Sequence, residues 1–156
     1  MIKVTKKKYI SLLLTIAAVV IFTLPFWLPE KEIFIYSAKP LTSEEQGYVA
    51  KLQKIGYKAK RVALNGEQKS DIAIWFGSAD FVKPIETSKA KYNFLYIEEY
   101  YPVNFDSLQE YPIILTPHKA LYEHYVRSNI KTALLDIKNP TAAKQLKNII
   151  EWLENN

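Results

Sequence analysis

Residues 71–77 of this chain, D-I-A-I-W-F-G, form an almost continuous apolar run between an aspartate and a glycine. A strand with one face in water alternates apolar and polar residues, whereas a strand covered on both faces is apolar throughout. Residues 92–97, Y-N-F-L-Y-I, and residues 112–115, P-I-I-L, are similarly apolar. These three stretches predict buried strands inside a sheet.

Amphipathic helices are predicted between the strands. Residues 32–38 and 58–64 predict two more strands, the second near a sheet edge because its apolar residues alternate. Between them, T-S-E-E at residues 42–45 is a capping box, and it precedes a helix that extends to about Ile55 and is closed by Gly56.

Two proline pairs predict the remaining helix starts. Thr116-Pro117 and Asn139-Pro140 each place a capping residue before a proline at the first helical position. Residues 132–137 predict a strand between these helices. The alternation of strands and amphipathic helices favours an α/β domain over residues 31–156, with a mostly parallel five- or six-stranded sheet and helices on both faces, a Rossmann-like arrangement.

A membrane segment is predicted before this domain. Residues Ile10 to Leu28 carry no charged side chain, and a helix of that length spans roughly 28 Å, close to the ~30 Å core of a bilayer. Lysines before it place residues 1–9 in the cytoplasm and the domain outside, as in a single-pass protein of the cell (inner) membrane. A cleaved signal peptide is the alternative, but the run is long and ends in L-P-F-W-L-P without a small-residue cleavage site. We therefore expect an uncleaved signal-anchor.

The net charge of +5 arises mostly in the first residues of the chain. Lys3, Lys6, Lys7 and Lys8 account for four positive charges, which leaves 17 basic and 16 acidic residues. A nucleic-acid interface requires a basic excess on the folded domain. We therefore expect no nucleic-acid partner.

Polar residues follow several predicted strands. The carboxyl ends of parallel strands meet at one edge of the sheet, where ligands bind in α/β proteins. The sequence thus predicts a ligand-binding crevice, and its candidate residues are Ser37, Lys39, Ser78, Asp80, Glu98, Glu99, Thr116 and His118. The alternative is that these are solvated loop residues and helix caps.

Several kinds of chemistry are disfavoured. No G-x-G-x-x-G or G-x-x-x-x-G-K-[ST] motif occurs, so we expect no nucleotide cofactor. The two histidines, His118 and His124, are six residues apart and cannot share a metal as an i, i+4 pair would, and with no cysteine we expect no metal site. No G-x-S-x-G elbow is present, so the serines are poor nucleophile candidates.

Glu98 and Glu99 could act as a general acid or base. In an extended backbone their side chains point to opposite faces, so we expect at most one to enter the crevice. The alternative is a charged strand terminus. The nearby tyrosines Tyr96, Tyr100, Tyr101 and Tyr111 could stack against sugars or a partner protein, or belong to the aromatic core.

Residues 112–137, PIILTPHKALYEHYVRSNIKTALLDI, combine a buried strand, a threonine-containing turn, a helix, a basic stretch and another strand. This order resembles the end of the N-terminal half of GT-B glycosyltransferases. In that family the second half binds the sugar nucleotide, and the sequence ends at Asn156 without such a half. The resemblance therefore implies a Rossmann-like binding module, or a component that acts with a separate donor-binding subunit.

Two hypotheses follow from the sequence. The first is a membrane-anchored extracytoplasmic domain, a non-catalytic module that binds a partner protein or glycan in envelope or surface-polysaccharide processes. The second is a glycosyltransferase-like enzyme component.

Overall fold

Six parallel strands form one sheet in the computed structural model, which describes residues 31–63, 69–77, 85, 88–99 and 112–156. The sheet order is β2-β1-β3-β4-β5-β6, and every neighbouring pair is parallel. The strands are β1 Glu32–Ser37, β2 Lys58–Arg61, β3 Ile72–Phe76, β4 Tyr92–Tyr96, β5 Ile113–Thr116 and β6 Thr132–Leu134. The predicted parallel Rossmann-like sheet is confirmed, and β2 lies at its edge as predicted.

β1 is the point at which the chain changes direction across the sheet. It pairs with β2 on one side and with β3 on the other, and the later strands continue outward from β3. In parallel sheets, the connections that follow the two strands at such a switch point leave on opposite faces of the sheet. A crevice therefore remains beyond the carboxyl ends of these two strands.

Helices cover both faces of the sheet. They are α1 Ser43–Lys54, α2 Lys119–Arg127 and α3 Ala142–Asn155. Tyr48 of α1 and Leu146 of α3 share one buried cluster with Ile33 and Ile74. Tyr125 of α2 joins the cluster on the other face, which includes Trp75. All residues of β3 are buried, as its apolar sequence predicts.

The start of α1 is the capping box that the sequence predicts. The Thr42 hydroxyl accepts a hydrogen bond from the Glu45 amide at 3.2 Å, and a Glu45 carboxylate oxygen accepts from the Thr42 amide at 2.7 Å. After the helix, Gly56 has a φ of +94°. A left-handed residue there ends the helix, which explains the glycine.

The two predicted proline-led helix starts are wrong. Thr116 is the last residue of β5, its hydroxyl accepts a bond from the His118 amide at 3.3 Å, and α2 begins only at Lys119. The Asn139 side chain accepts from the Thr141 amide at 2.9 Å, and α3 begins at Ala142. In both places the polar residue forms a local turn before the helix, a competing use of the same side chain.

β6 ends at Leu134, three residues before the predicted end. The Asp136 carboxylate accepts a hydrogen bond from the Lys138 amide at 2.9 Å, which forms a turn. Ile137 is therefore buried in a turn, next to the C-terminal helix, rather than in a strand.

The predicted membrane segment, residues 10–28, lies outside the described residues. Among the helices that the structure describes, none has the length and apolar character needed to cross a bilayer. The described strands and helices belong to one compact unit, Lys31–Asn156.

Candidate ligand-binding crevice

A cleft of about 220 Å³ opens at the carboxyl edge of the sheet. It lies where α1 begins, beyond the ends of β3 and β4, and a turn after β6 closes one side. Its lining residues are Thr42, Glu44, Glu45, Gly77, Tyr96, Glu98, Glu99 and Ile137. The cleft therefore lies at the carboxyl edge of the sheet, where parallel α/β domains bind ligands, one strand along from the switch point between β1 and β3.

Four glutamates from two separate segments meet at this cleft. Glu44 and Glu45 belong to the first turn of α1, and Glu98 and Glu99 follow β4. An ionised carboxylate accepts hydrogen bonds and cannot donate one. The cleft thus suits a ligand that carries a positive charge or several hydrogen-bond donors.

The N-terminus of α1 is partly satisfied from within the chain by the capping box. Free amides at a helix start normally attract anions. Here the Glu45 carboxylate accepts from the Thr42 amide, so one of these sites is filled by a negative side chain. A phosphate at this position would also meet the carboxylates of Glu44 and Glu45.

Glu44 forms an ion pair with Lys138 across the cleft rim. The Lys138 Nζ lies 3.2 Å from a Glu44 oxygen, and this hydrogen bond raises the pKa of the Lys138 ammonium. Both side chains are about half exposed, so water screens the pair and it adds little to stability. It offsets one of the four negative charges at the site.

Lys51 fixes the turn that forms one side of the cleft. Its Nζ donates to the carbonyl oxygens of Ile137, Lys138 and Asn139 at 2.9, 3.2 and 3.1 Å. An ammonium has three donors, and these contacts use all of them. α1 is thereby tied to the segment that contains Ile137.

Tyr96 supplies the polar floor of the cleft. Its hydroxyl lies 3.3 Å from a Glu98 carboxylate oxygen, and its ring packs against Phe76 with centroids 5.4 Å apart. Burial and then the Glu98 charge raise the pKa of Tyr96, and a backbone hydrogen bond with Ile137 opposes this shift. The hydroxyl therefore stays protonated and donates to Glu98, which orients that carboxylate.

Both Glu98 and Glu99 line the cleft, whereas the sequence predicts that at most one enters it. The strand ends at Tyr96, and residues 98 and 99 lie in a bend. The alternation of side chains holds only for an extended backbone, so it does not apply to this pair.

The other predicted site residues that the structure describes lie outside the lining. The buried Ser37 hydroxyl donates to the Lys39 carbonyl at 2.8 Å, which shapes the turn after β1. Thr116 is fully buried, and His118 is an exposed residue that precedes α2. Ser78 and Asp80 lie outside the described residues.

Four polar residues of the cleft are absent from the sequence-based set, namely Thr42, Glu44, Glu45 and Tyr96. Thr42, Glu44 and Glu45 belong to the capping box, which marks a helix start in the sequence. A helix that follows a parallel strand begins at the carboxyl edge of the sheet, so the capping box itself indicates residues near the crevice. Tyr96 is counted among the tyrosines that could bind sugars. Tyr96 as a whole is only 4 % exposed, so it offers its hydroxyl and not a stacking face.

Within the described ranges, no group of three or more histidine, cysteine, aspartate or glutamate side chains is arranged to hold a metal ion.

Comparisons with protein families, with curated proteins and with solved structures found no match to this chain.

Proposed function

We propose that this chain is a membrane-anchored, extracytoplasmic binding module whose cleft holds a cationic or donor-rich group of a partner protein or glycan. Residues 10–28 would span the cell membrane, and the domain would act in envelope or surface-polysaccharide processes. The observation that supports this proposal is the convergence of Glu44, Glu45, Glu98 and Glu99 at the carboxyl edge of the sheet.

The chemistry of the cleft favours binding over catalysis. A general acid or base needs a neighbour that brings its pKa near neutrality and a second group that acts with it. Glu98 instead accepts from the Tyr96 hydroxyl, and Glu45 accepts from the backbone amide of Thr42. These contacts fix the carboxylates as acceptors for a ligand.

Binding is tested on the full chain in detergent with two probes, a lysine- and arginine-rich peptide and a partly deacetylated glucosamine oligomer. We expect calorimetry to detect one of them, and the double variant Glu98→Gln/Glu99→Gln to weaken its binding roughly two- to thirtyfold, since exposed charge pairs contribute about 0.2–1 kcal/mol each. Glu123→Gln on α2 is the matched control, because Glu123 pairs with Lys119 and Arg127 and does not line the cleft. Failure of both probes to bind, or equal loss in the control, would overturn the cleft proposal.

The membrane topology has its own test. A phosphatase reporter fused after Asn156 should be active outside the cytoplasm. A reporter active only in the cytoplasm would contradict the proposed orientation.

The glycosyltransferase-like component is the second candidate, and its support is the parallel sheet with helices on both faces. The acidic cleft argues against binding of a nucleoside diphosphate group there, because like charges repel at short range. A sugar nucleotide that raised the melting temperature of the full chain would favour this candidate over the binding module.

A further inference from the structure

One glutamate of the cleft already binds a cation that belongs to the chain. The Lys138 Nζ lies 3.2 Å from a carboxylate oxygen of Glu44, which lines the cleft. The cleft glutamates Glu45 and Glu98 instead accept hydrogen bonds from a backbone amide and a tyrosine hydroxyl, which are neutral donors. Glu44 is thus in the state that we propose for a ligand-bound cleft, with the chain's own ammonium in place of the ligand.

The backbone of Lys138 is held in a turn beside the cleft. The Asp136 carboxylate accepts a hydrogen bond from the Lys138 amide at 2.9 Å, and the Lys51 Nζ donates to the Lys138 carbonyl at 3.2 Å. Lys51 belongs to α1, the helix that also carries Glu44. The turn and the carboxylate are therefore tied to the same helix, which keeps the Lys138 ammonium within reach of Glu44.

Carboxylates from more than one segment act on this ammonium. The hydrogen bond from Lys138 to Glu44 is the largest cause of the raised pKa of Lys138, and the charges of Glu98 and Asp136 add to the shift. Glu98 follows β4, whereas Glu44 belongs to α1. Lys138 is therefore attracted by both of the acidic segments that line the cleft.

The ion pair between Lys138 and Glu44 is nevertheless weak enough to open. The Lys138 side chain is 56 % exposed and the Glu44 side chain is 50 % exposed. An exposed pair of this kind is favoured over its separated state by at most about fivefold, because water screens the attraction. A ligand that brings a cation into the cleft can therefore displace Lys138, and its affinity is lowered by no more than that factor.

We propose that Lys138 is an internal competitor for the cleft, whose ammonium occupies Glu44 in the free protein and is displaced when a cationic group of the ligand binds. The competitor favours ligands that carry several positive charges or donors, because a single charge gains little by replacing one ammonium with another. This inference concerns the regulation of the cleft and rests on the proposed binding of a cationic or donor-rich group.

Removal of the competitor should strengthen ligand binding. The full chain in detergent is titrated by calorimetry with the lysine- and arginine-rich peptide and with the glucosamine oligomer. For a probe that binds, Lys138→Gln should lower the dissociation constant about two- to fivefold. Lys138→Arg keeps the positive charge and should not strengthen binding. Lys39→Gln removes the same charge from an exposed residue at the same edge of the sheet, outside the cleft lining, and is the matched control that should change the constant less.

Trace acetylation of the lysines measures the displacement itself. Only the neutral amine reacts, so the pairing that raises the pKa of Lys138 slows its acetylation. Binding of the probe should therefore raise the acetylation rate of Lys138 relative to that of Lys39 in the same sample, as measured by mass spectrometry. Glu44→Gln should raise the rate at Lys138 without any probe.

Equal affinity of Lys138→Gln and the unmodified chain for a probe that binds would overturn the competitor proposal and leave the cleft proposal intact. An equal gain in Lys39→Gln would also overturn it, since the effect would then be one of net charge. A fall in the acetylation rate of Lys138 on binding would do the same, because the probe would cover the ion pair instead of opening it. If neither probe binds the unmodified chain or Lys138→Gln, the cleft proposal is wrong and the competitor proposal fails with it.

Discussion

The rings of Tyr48 and Phe76 pack at right angles in the core between α1 and the sheet, with centroids 6.4 Å apart. Tyr48 is fully buried, and within the part of the chain that the structure describes its hydroxyl has no hydrogen-bond partner. A buried polar group without a partner costs about 1–3 kcal/mol of stability. The aromatic contact and the surrounding apolar packing outweigh that cost.

Tyr48→Phe should therefore stabilise the domain, by about 1 kcal/mol, because it removes the unpaired hydroxyl and keeps the ring. Urea unfolding followed by circular dichroism measures the change. Tyr92→Phe is the control, since its hydroxyl donates to the Leu153 carbonyl, and it should be neutral or slightly destabilising. A loss of stability in Tyr48→Phe would indicate that the hydroxyl is paired in solution.

The domain should lose stability in alkali. Burial raises the pKa of Tyr48 and of Tyr96 above the usual value of 10.0. Above pH 10 the unfolded chain releases these protons while the folded chain keeps them. The contribution of the two tyrosines to the free energy of unfolding is therefore complete below pH 10 and is lost as the pH rises toward their folded-state pKa values. The free energy of unfolding, measured between pH 8 and pH 11 at about 25 °C, should fall at the upper end, and Tyr48→Phe should reduce the slope.

Two glycines, one inside α1 and one just after it, should respond in opposite ways to substitution by alanine. Gly47 lies inside the helix with no atom within 4 Å of the position a Cβ would take, so Gly47→Ala should stabilise by roughly 0.5–1 kcal/mol. Gly56 has a φ of +94°, where a side chain is strained, so Gly56→Ala should destabilise by about 1 kcal/mol. Thermal melts of the two variants test the pair, and a shift of the same sign in both would contradict the prediction.

Lys51→Met should destabilise the domain by about 1–2 kcal/mol, since it leaves the carbonyls of the turn at Ile137 to Asn139 without their shared donor. It should also loosen one side of the cleft. Amide hydrogen exchange at residues 137–139 reports that loosening directly. Lys54→Met, an exposed lysine one turn later, is the control and should change neither quantity.

The sequence by itself determined the architecture. The continuous apolar run at Ile72–Phe76, the alternating edge strand at β2 and the capping box at Thr42 each predict a local structure that the fold contains. These signals succeed because burial on both faces, exposure on one face and unpaired helix amides impose local patterns on the residues. The two proline-led helix starts failed because a threonine or asparagine can satisfy a turn as readily as a helix end.

Only the tertiary structure decided which residues share the cleft. Glu44 and Glu98 are more than fifty positions apart in the sequence, and they meet because β1 and β4 end at the same edge. The sequence shows that strands end in polar residues, but the bend at residues 98 and 99 and the sheet order determine which side chains converge. Thr116 and Ser37 illustrate the limit, because both follow the sequence rule for a crevice and yet bond within their own turns. Convergence depends on contacts between distant segments, and no local pattern encodes them.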